Sequence, residues 1–247
     1  MELDNKNLKK KYSIDGYFVC ENFFSEEFVS ELIYEIENSK DTVKYYDKNE
    51  NLRRIEKLYD KGNNLNKLNA EILKLLRKIF QKDFLIFKDK FNAKPPGGDG
   101  FFAHYDGIFH FTDHKNVKRN GWYEYGDCFV NVLIALDRCN EENGALQLAK
   151  AHKGNFNELL KNTKNDGTPA LTKEVEDNTI FNLINLNVGD VVVFSNTCPH
   201  RSKRNDTKYN RRVLYYTYSL STHGSKYLEY FKDKEKSKNP SKALVDR

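Results

Sequence analysis

Residues 188–202 read VGDVVVFSNTCPHRS. A V-G-D turn is followed by an apolar, β-branched run, and His200 stands at the far end of that run. This is the pattern of a buried strand that carries one polar side chain to the mouth of a sheet. Similar short runs lie on either side of it: FLIFKDKF (84–91), CFVNVLIALD (128–137), ALQLA (145–149), IFNLINLNV (180–188) and RVLYYTYSL (212–220). Turn-forming stretches such as PPGGDG and NEENG separate them.

The chain ahead of this block has a different character. GYFVCENFF (16–24) reads as a short strand, and Ser25 is placed to cap a helix whose Phe28, Leu32, Ile33 and Ile36 fall at helical spacing. LNKLNAEILKLLRKIF (65–80) repeats apolar residues every three or four positions and predicts a second helix. Helices followed by many short strands predict a mainly β protein with flanking helices, a jelly-roll sandwich or barrel. We expect a single domain over 1–247: a helical part to about 83, a β core over 84–221 and a C-terminal tail over 222–247.

Composition narrows the function classes. Hydrophobic residues are 38% and charged residues 31% of the 247, as in a soluble globular chain. No apolar run approaches the roughly 18 residues needed to span a bilayer. No apolar segment follows the N-terminal lysines, so we expect a cytoplasmic protein rather than a secreted one. The four cysteines form no CxxC pair and read as reduced thiols. Net charge is +5, with lysines gathered at both ends among acidic residues. That reads as solvated termini rather than a nucleic-acid surface, while the excess favours an anionic small-molecule ligand.

Of the six histidines, only His104, in FFAHYDGIFHF (101–111), has a carboxylate two residues on. Positions i and i+2 of an extended strand share a face, so His104 and Asp106 project together. His200, 96 residues later, is the best-placed second histidine. Two histidines and one carboxylate on one side of a metal leave three positions open, the facial triad of non-haem Fe(II) oxygenases. Two open positions suit a chelating cosubstrate and one suits O2. The cosubstrate's far carboxylate needs a cation, and Arg211 or Arg212 can supply a guanidinium fork.

These motifs, in this order, resemble the phytanoyl-CoA dioxygenase family of Fe(II)/2-oxoglutarate-dependent oxygenases. The resemblance runs through DGYFVCENFFSEE, KPPGGDGFFAHYD, VLIALDRCNEENGALQLAKAHKG, VGDVVVFSNTCPHRS and YNRRVLYYTYS. It implies a double-stranded β-helix, a cupin-like jelly roll, with His104, Asp106 and His200 as Fe(II) ligands. It also implies that Arg211, eleven residues after His200, binds 2-oxoglutarate with help from Ser202. Lys94 is open between a cosubstrate or substrate carboxylate and a loop contact. Because Asp106 retains the carboxylate, the resemblance implies hydroxylation of a small polar or anionic metabolite, with release of succinate and CO2, rather than halogenation. A non-catalytic binding protein on the same scaffold, or an oxygenase acting on a macromolecule, are the alternatives. The aromatic stretch 110–127, with Trp122, Tyr123 and Tyr125, is open between an aromatic wall over the active site and a lid packed on the core; His152 reads as a structural hydrogen-bonder and Cys198 as a buried thiol.

Overall fold

The computed structural model describes residues 4–236, and in it the short apolar runs pair into two principal antiparallel sheets. The larger has seven strands in the order Tyr17–Cys20, Val191–Ser195, Phe129–Ala135, Arg211–Leu220, Phe84–Lys94, Leu52–Glu56 and Val43–Tyr46. The smaller has four, in the order Asn182–Leu183, Leu146–Leu148, His200–Ser202 and Phe101–His104. Alternation sorts the side chains of the large sheet. Leu133, Ala135, Val192, Phe194 and Val213 point at the small sheet and meet Leu146, Leu148, Ile184 and Leu186. Their neighbours Val132, Ile134, Val191, Val193, Leu214 and Tyr216 point away and pack under the helices Glu26–Glu37 and Asn63–Phe80. A sheet covered on both faces needs continuous apolar strands, and every residue of Phe129–Ala135 is buried. The expected jelly roll with helices outside is therefore the fold.

The helices are anchored by local chemistry. Ser25 Oγ accepts from Phe28 N–H at 3.2 Å, the cap expected from the sequence. Asn63–Phe80 has no side-chain cap of its own. The Glu35 carboxylate, from the preceding helix, accepts from Asn64 and Leu65 N–H at 3.1 and 2.8 Å, so an anion from a neighbour sits at its positive end.

Two readings of the sequence change. The part before residue 84 adds three strands to the large sheet, and two of them, Val43–Tyr46 and Leu52–Glu56, show no apolar run in the sequence: VKYY is short and half-exposed, and LRRIE is mostly charged. LRRIE carries a charged residue toward the barrel interior, so its buried positions do not look apolar. The C-terminal stretch is a tail only in part. Tyr227–Lys236 forms a helix whose Tyr227, Tyr230 and Phe231 join the main core. Residues 237–247 of the expected tail lie outside the described residues. No helix among the described residues is long and apolar enough to cross a membrane.

Candidate metal centre and its cavity

Strand register brings the histidines together. His200 stands directly opposite His104 in the small sheet, and the two rings lie 4.1 Å apart between centroids. The strand bearing His104 stops there, so Asp106 sits just beyond its end rather than within it. A loop pairing replaces the strand. Asp106 N–H donates to Asn196 O at 3.1 Å, and Asn196 Nδ2 donates back to Asp106 O at 3.1 Å. Gly107 follows with φ of 78°, and a Cβ there would fall 2.5 Å from the Trp122 ring. Glycine meets both demands at once.

The result is a compact donor set. His200 Nε2 lies 3.6 Å from Asp106 Oδ2, and one ligand atom from each of His104, Asp106 and His200 lies within 4.8 Å of the others. Each imidazole is held through its other nitrogen: His104 Nδ1 to Phe102 O at 2.8 Å and His200 Nδ1 to Cys198 O at 3.1 Å. A carbonyl only accepts, so both Nδ1 atoms carry the proton and both Nε2 lone pairs remain for a shared cation.

Electrostatics agrees with that tautomer. Part of the His104 ring faces the cavity, but the surrounding protein excludes most water. Burial, with His200 beside it, pulls its pKa down to about 3. Burial lowers His200 too. For Asp106, burial favours the neutral acid, yet His200, Lys90 and His104 outweigh it and hold the carboxyl at about 2. Two neutral nitrogens and one carboxylate on one side of a point fit a divalent first-row metal with its other positions open.

Asp106 also has a positioning partner that the sequence did not reveal. Asn131 Nδ2 donates to Asp106 Oδ2 at 2.9 Å, and Asn131 Oδ1 accepts from Thr217 Oγ1 at 2.8 Å. Asn131 is the only hydrogen-bonding side chain in the interior of VNVLIA, which is the signal that was available.

Arg211 faces inward and is 5% exposed. One terminal N–H donates to Gly144 O at 3.1 Å, while its buried Nε has no partner among the described residues. Arg212 faces outward, paired with Asp137 at 2.9 Å and Glu37 at 3.0 Å. Strand alternation thus separates the two arginines in favour of Arg211. Gly144, in the ENG turn, has φ of 71°, and a Cβ there would lie 2.2 Å from Lys203 O. Its carbonyl receives both Arg211 and, at 3.1 Å, Lys94.

Lys94 is placed differently from a cosubstrate ligand. Its ammonium donates to Gly144 O, Lys203 O and, at 2.9 Å, Ser202 Oγ, which engages all three N–H groups behind the cavity wall. Burial, and then the Arg211 charge, pull its pKa down to about 6, against three acceptors that favour the ammonium form. Lys94 therefore positions Ser202, which itself lines the cavity.

The cavity measures about 870 Å3, its open mouth included. It holds the triad, Arg211 and Ser202, and a set of cations unforeseen from sequence: Arg54, Lys88 and Lys90. Of the expected aromatic lid, only Trp122 reaches it; Tyr123 packs on Phe156 and Tyr125 donates to Asp233 at 2.9 Å. His152 bonds to the Tyr105 hydroxyl, and Cys198 donates from behind the small sheet to Gly16 O at 3.4 Å, as a buried thiol. Arg201, the neighbour of His200, also lines the cavity, with its guanidinium held by Gln147 and Glu176, each at 2.8 Å.

A jelly roll with a two-histidine, one-carboxylate centre and a buried arginine defines the class, and comparison with known proteins supplies the family. The model for Phytanoyl-CoA dioxygenase (PhyH) matches residues 12–213, and the chain belongs to that family. The chain is 28% identical over 172 residues to a 2-aminoethylphosphonate dioxygenase of the uncultured bacterium HF130_AEPn_1, covering 70% of this chain and 60% of that protein. It is 30% identical over 154 residues to a methylphosphonate hydroxylase of Gimesia maris, covering 62% and 52%. The match thus spans between half and three-fifths of the length of these relatives. Among solved structures, EctD from S. alaskensis with bound Fe superposes with a TM-score of 0.68 at 18% identity, covering 88% of this chain and 77% of that one. This supports the fold.

Proposed function

We propose that the protein is an Fe(II)- and 2-oxoglutarate-dependent oxygenase that hydroxylates a small anionic metabolite. The observation that carries the reading is the pairing of the triad with Arg211 in one cavity: ligand atoms within 4.8 Å of one another, and a buried guanidinium with an unpartnered Nε. The chemistry such a centre supplies when loaded is O2-dependent oxidation coupled to decarboxylation of 2-oxoglutarate to succinate and CO2.

The chain's own residues do the rest. His104 and His200 offer Nε2 atoms already in the neutral form, and Asp106 offers a carboxylate already ionised. Asn131 and Asn196 fix the orientation of Asp106. Arg211 and Ser202 would hold the cosubstrate's far carboxylate, with Lys94 steadying the Ser202 hydroxyl. Leu146, Phe109 and Trp122 give the cavity apolar lining. Two relatives named for phosphonates support an anionic substrate, and so does the excess of cations in the cavity.

The test is succinate release in the presence of Fe(II), 2-oxoglutarate and O2, with a panel of short phosphonates, carboxylates and neutral metabolites. We expect at least one small anion to raise the rate well above background and Asp106→Ala to abolish the rise. If no metabolite raises succinate release and the background rate survives Asp106→Ala, the reading is wrong.

A further inference from the structure

The strand Phe84–Lys94 puts Lys88, Lys90, Asn92 and Lys94 on its inner face, two residues apart. Lys94 is engaged behind the wall, as described. Lys88 and Lys90 are not. Lys88 is 9% exposed, and its ammonium lies 4.7 Å above the Trp122 ring and 5.5 Å from that of Tyr230. Lys90 lies 4.7 Å over the ring of Tyr215. Each ammonium rests on aromatic faces; neither has a hydrogen-bond or ion-pair partner among the described residues, and Asp106 acts on both at longer range.

A third cation joins them from the next strand. Arg54, which stands opposite Asn92, is 7% exposed and donates from Nε to Asn92 Oδ1 at 3.2 Å. The acid nearest to it is not free to neutralise the group. Glu56 is 1% exposed and is held at both oxygens by Lys234 of the C-terminal helix, with Arg54 farther off at 3.6 Å. Asp89, next along the strand, faces the other way and accepts from Leu58 N–H, Tyr59 N–H and the Tyr227 hydroxyl. Asp106 belongs to the metal centre. Three cations thus face one cavity: Arg54 shares Glu56 with Lys234, and Lys88 and Lys90 feel Asp106 without an ion pair to it.

Buried positive charge in excess of its anions is costly, and here burial lowers both lysines, Lys90 to about 7, although Asp106 pulls the other way. Folds keep such an arrangement where a ligand brings the missing charge. A single planar carboxylate satisfies two donors from one side. Three cations reaching in from two strands suit a compact group with acceptor oxygens on several sides and more than one negative charge. We propose that Lys88, Lys90 and Arg54 form the substrate's anion subsite, and that the group they hold is a dianionic tetrahedral oxyanion such as a phosphonate. This rests on the oxygenase reading above, and it adds which residues take the substrate and what charge it presents. Phe109, Trp122 and Tyr230 line the same cavity as His104 and His200, so a group held by the three cations shares one space with the metal ligands.

The experiment is anaerobic calorimetry on the full chain loaded with Mn(II) and 2-oxoglutarate, titrated with methylphosphonate, inorganic phosphate and acetate, with 2-oxoglutarate binding measured separately. We expect methylphosphonate and phosphate to compete for one site and acetate to bind at least tenfold more weakly. Lys88→Met and Lys90→Met should each weaken phosphate binding at least tenfold and leave 2-oxoglutarate binding unchanged. Lys88→Arg, which keeps the charge and guards against a folding artefact, should retain phosphate binding within a few fold. Phosphate binding that is absent in the wild type, or unchanged in both Met variants, overturns the proposal. So does loss of 2-oxoglutarate rather than phosphate in those variants, which would assign the lysines to the cosubstrate. If the lysines hold phosphate while 2-oxoglutarate never binds the metal-loaded wild type, the anion subsite stands and the oxygenase reading falls.

Discussion

Replacing Asn131 by leucine isolates the part that outer residues play in the metal centre. Asn131 is 1% exposed and bridges Asp106 Oδ2 at 2.9 Å and Thr217 Oγ1 at 2.8 Å. Leucine has a similar volume and no polar atoms, so the substitution removes both hydrogen bonds with little change in packing. A hydrogen bond to a charged group contributes about 1.5–3 kcal/mol and a neutral one about 1 kcal/mol. Thr217 can regain part of its share from backbone carbonyls, so we expect a net loss of about 2–3 kcal/mol. For a chain of this size that lowers Tm by about 4–12 °C. The carboxylate is then free to turn about its own axis, and loss of such an outer partner typically weakens metal binding about 10- to 100-fold. The assays are thermal unfolding of the metal-free chain and Mn(II) affinity by competition with a chelating dye. A variant that loses the expected stability but binds Mn(II) as tightly as the wild type would refute the reasoning, because Asn131 would then be a packing residue and not an orienting one.

Arg211→Ala should weaken 2-oxoglutarate binding by about 2–3 kcal/mol, roughly 30- to 150-fold, whereas Arg212→Ala should leave it unchanged and cost at most about 1 kcal/mol of stability, since its ion pairs are half-exposed; calorimetry on the two variants side by side decides this. Lys94→Met leaves three acceptors without donors and frees Ser202, so both Tm and 2-oxoglutarate affinity should fall; a fall in Tm alone would remove Lys94 from cosubstrate binding altogether. Histidine titration gives the metal-free chain a signed pH dependence. His104 and His200 are depressed below their ordinary value, His104 to about 3. Between an unfolded pKa of about 6.5 and that value the unfolded chain binds more protons. Stability therefore rises with pH across that window and falls as acid is added. His104→Gln should flatten the slope of Tm against pH between about 4 and 6, and an unchanged slope would show that His104 is not held neutral.

The sequence displays the large sheet wherever its strands are buried on both faces, because VVVFS and FVNVLIA contain little but core residues. It hides strands whose inner face lines a polar cavity. LRRIE is hidden in this way; FLIFKDKF reads as a strand, but its inward lysines look in one dimension like charge on a surface. The cluster of His104, Asp106 and His200 was legible because a candidate metal site is sought as particular side chains at particular spacing. Spacing from His200 favours Arg211 over Arg212 in the sequence, and strand alternation sends Arg211 inward and Arg212 to Asp137. Asn131, Lys88 and Lys90 carry no motif. Their roles follow from the register that sets them around Asp106, and register is a long-range property. The helix Tyr227–Lys236 was missed for a related reason: YLEYFKDKEK is highly charged, yet Lys234 is buried against Glu56.

The most direct test of the central claim is the visible absorption of the metal-free chain when Fe(II) and then 2-oxoglutarate are added without O2. The account predicts a charge-transfer band that needs both additions, is absent in His200→Ala and is weakened in Arg211→Ala. Iron binding with no change on adding 2-oxoglutarate would contradict it, as would a band that survives His200→Ala.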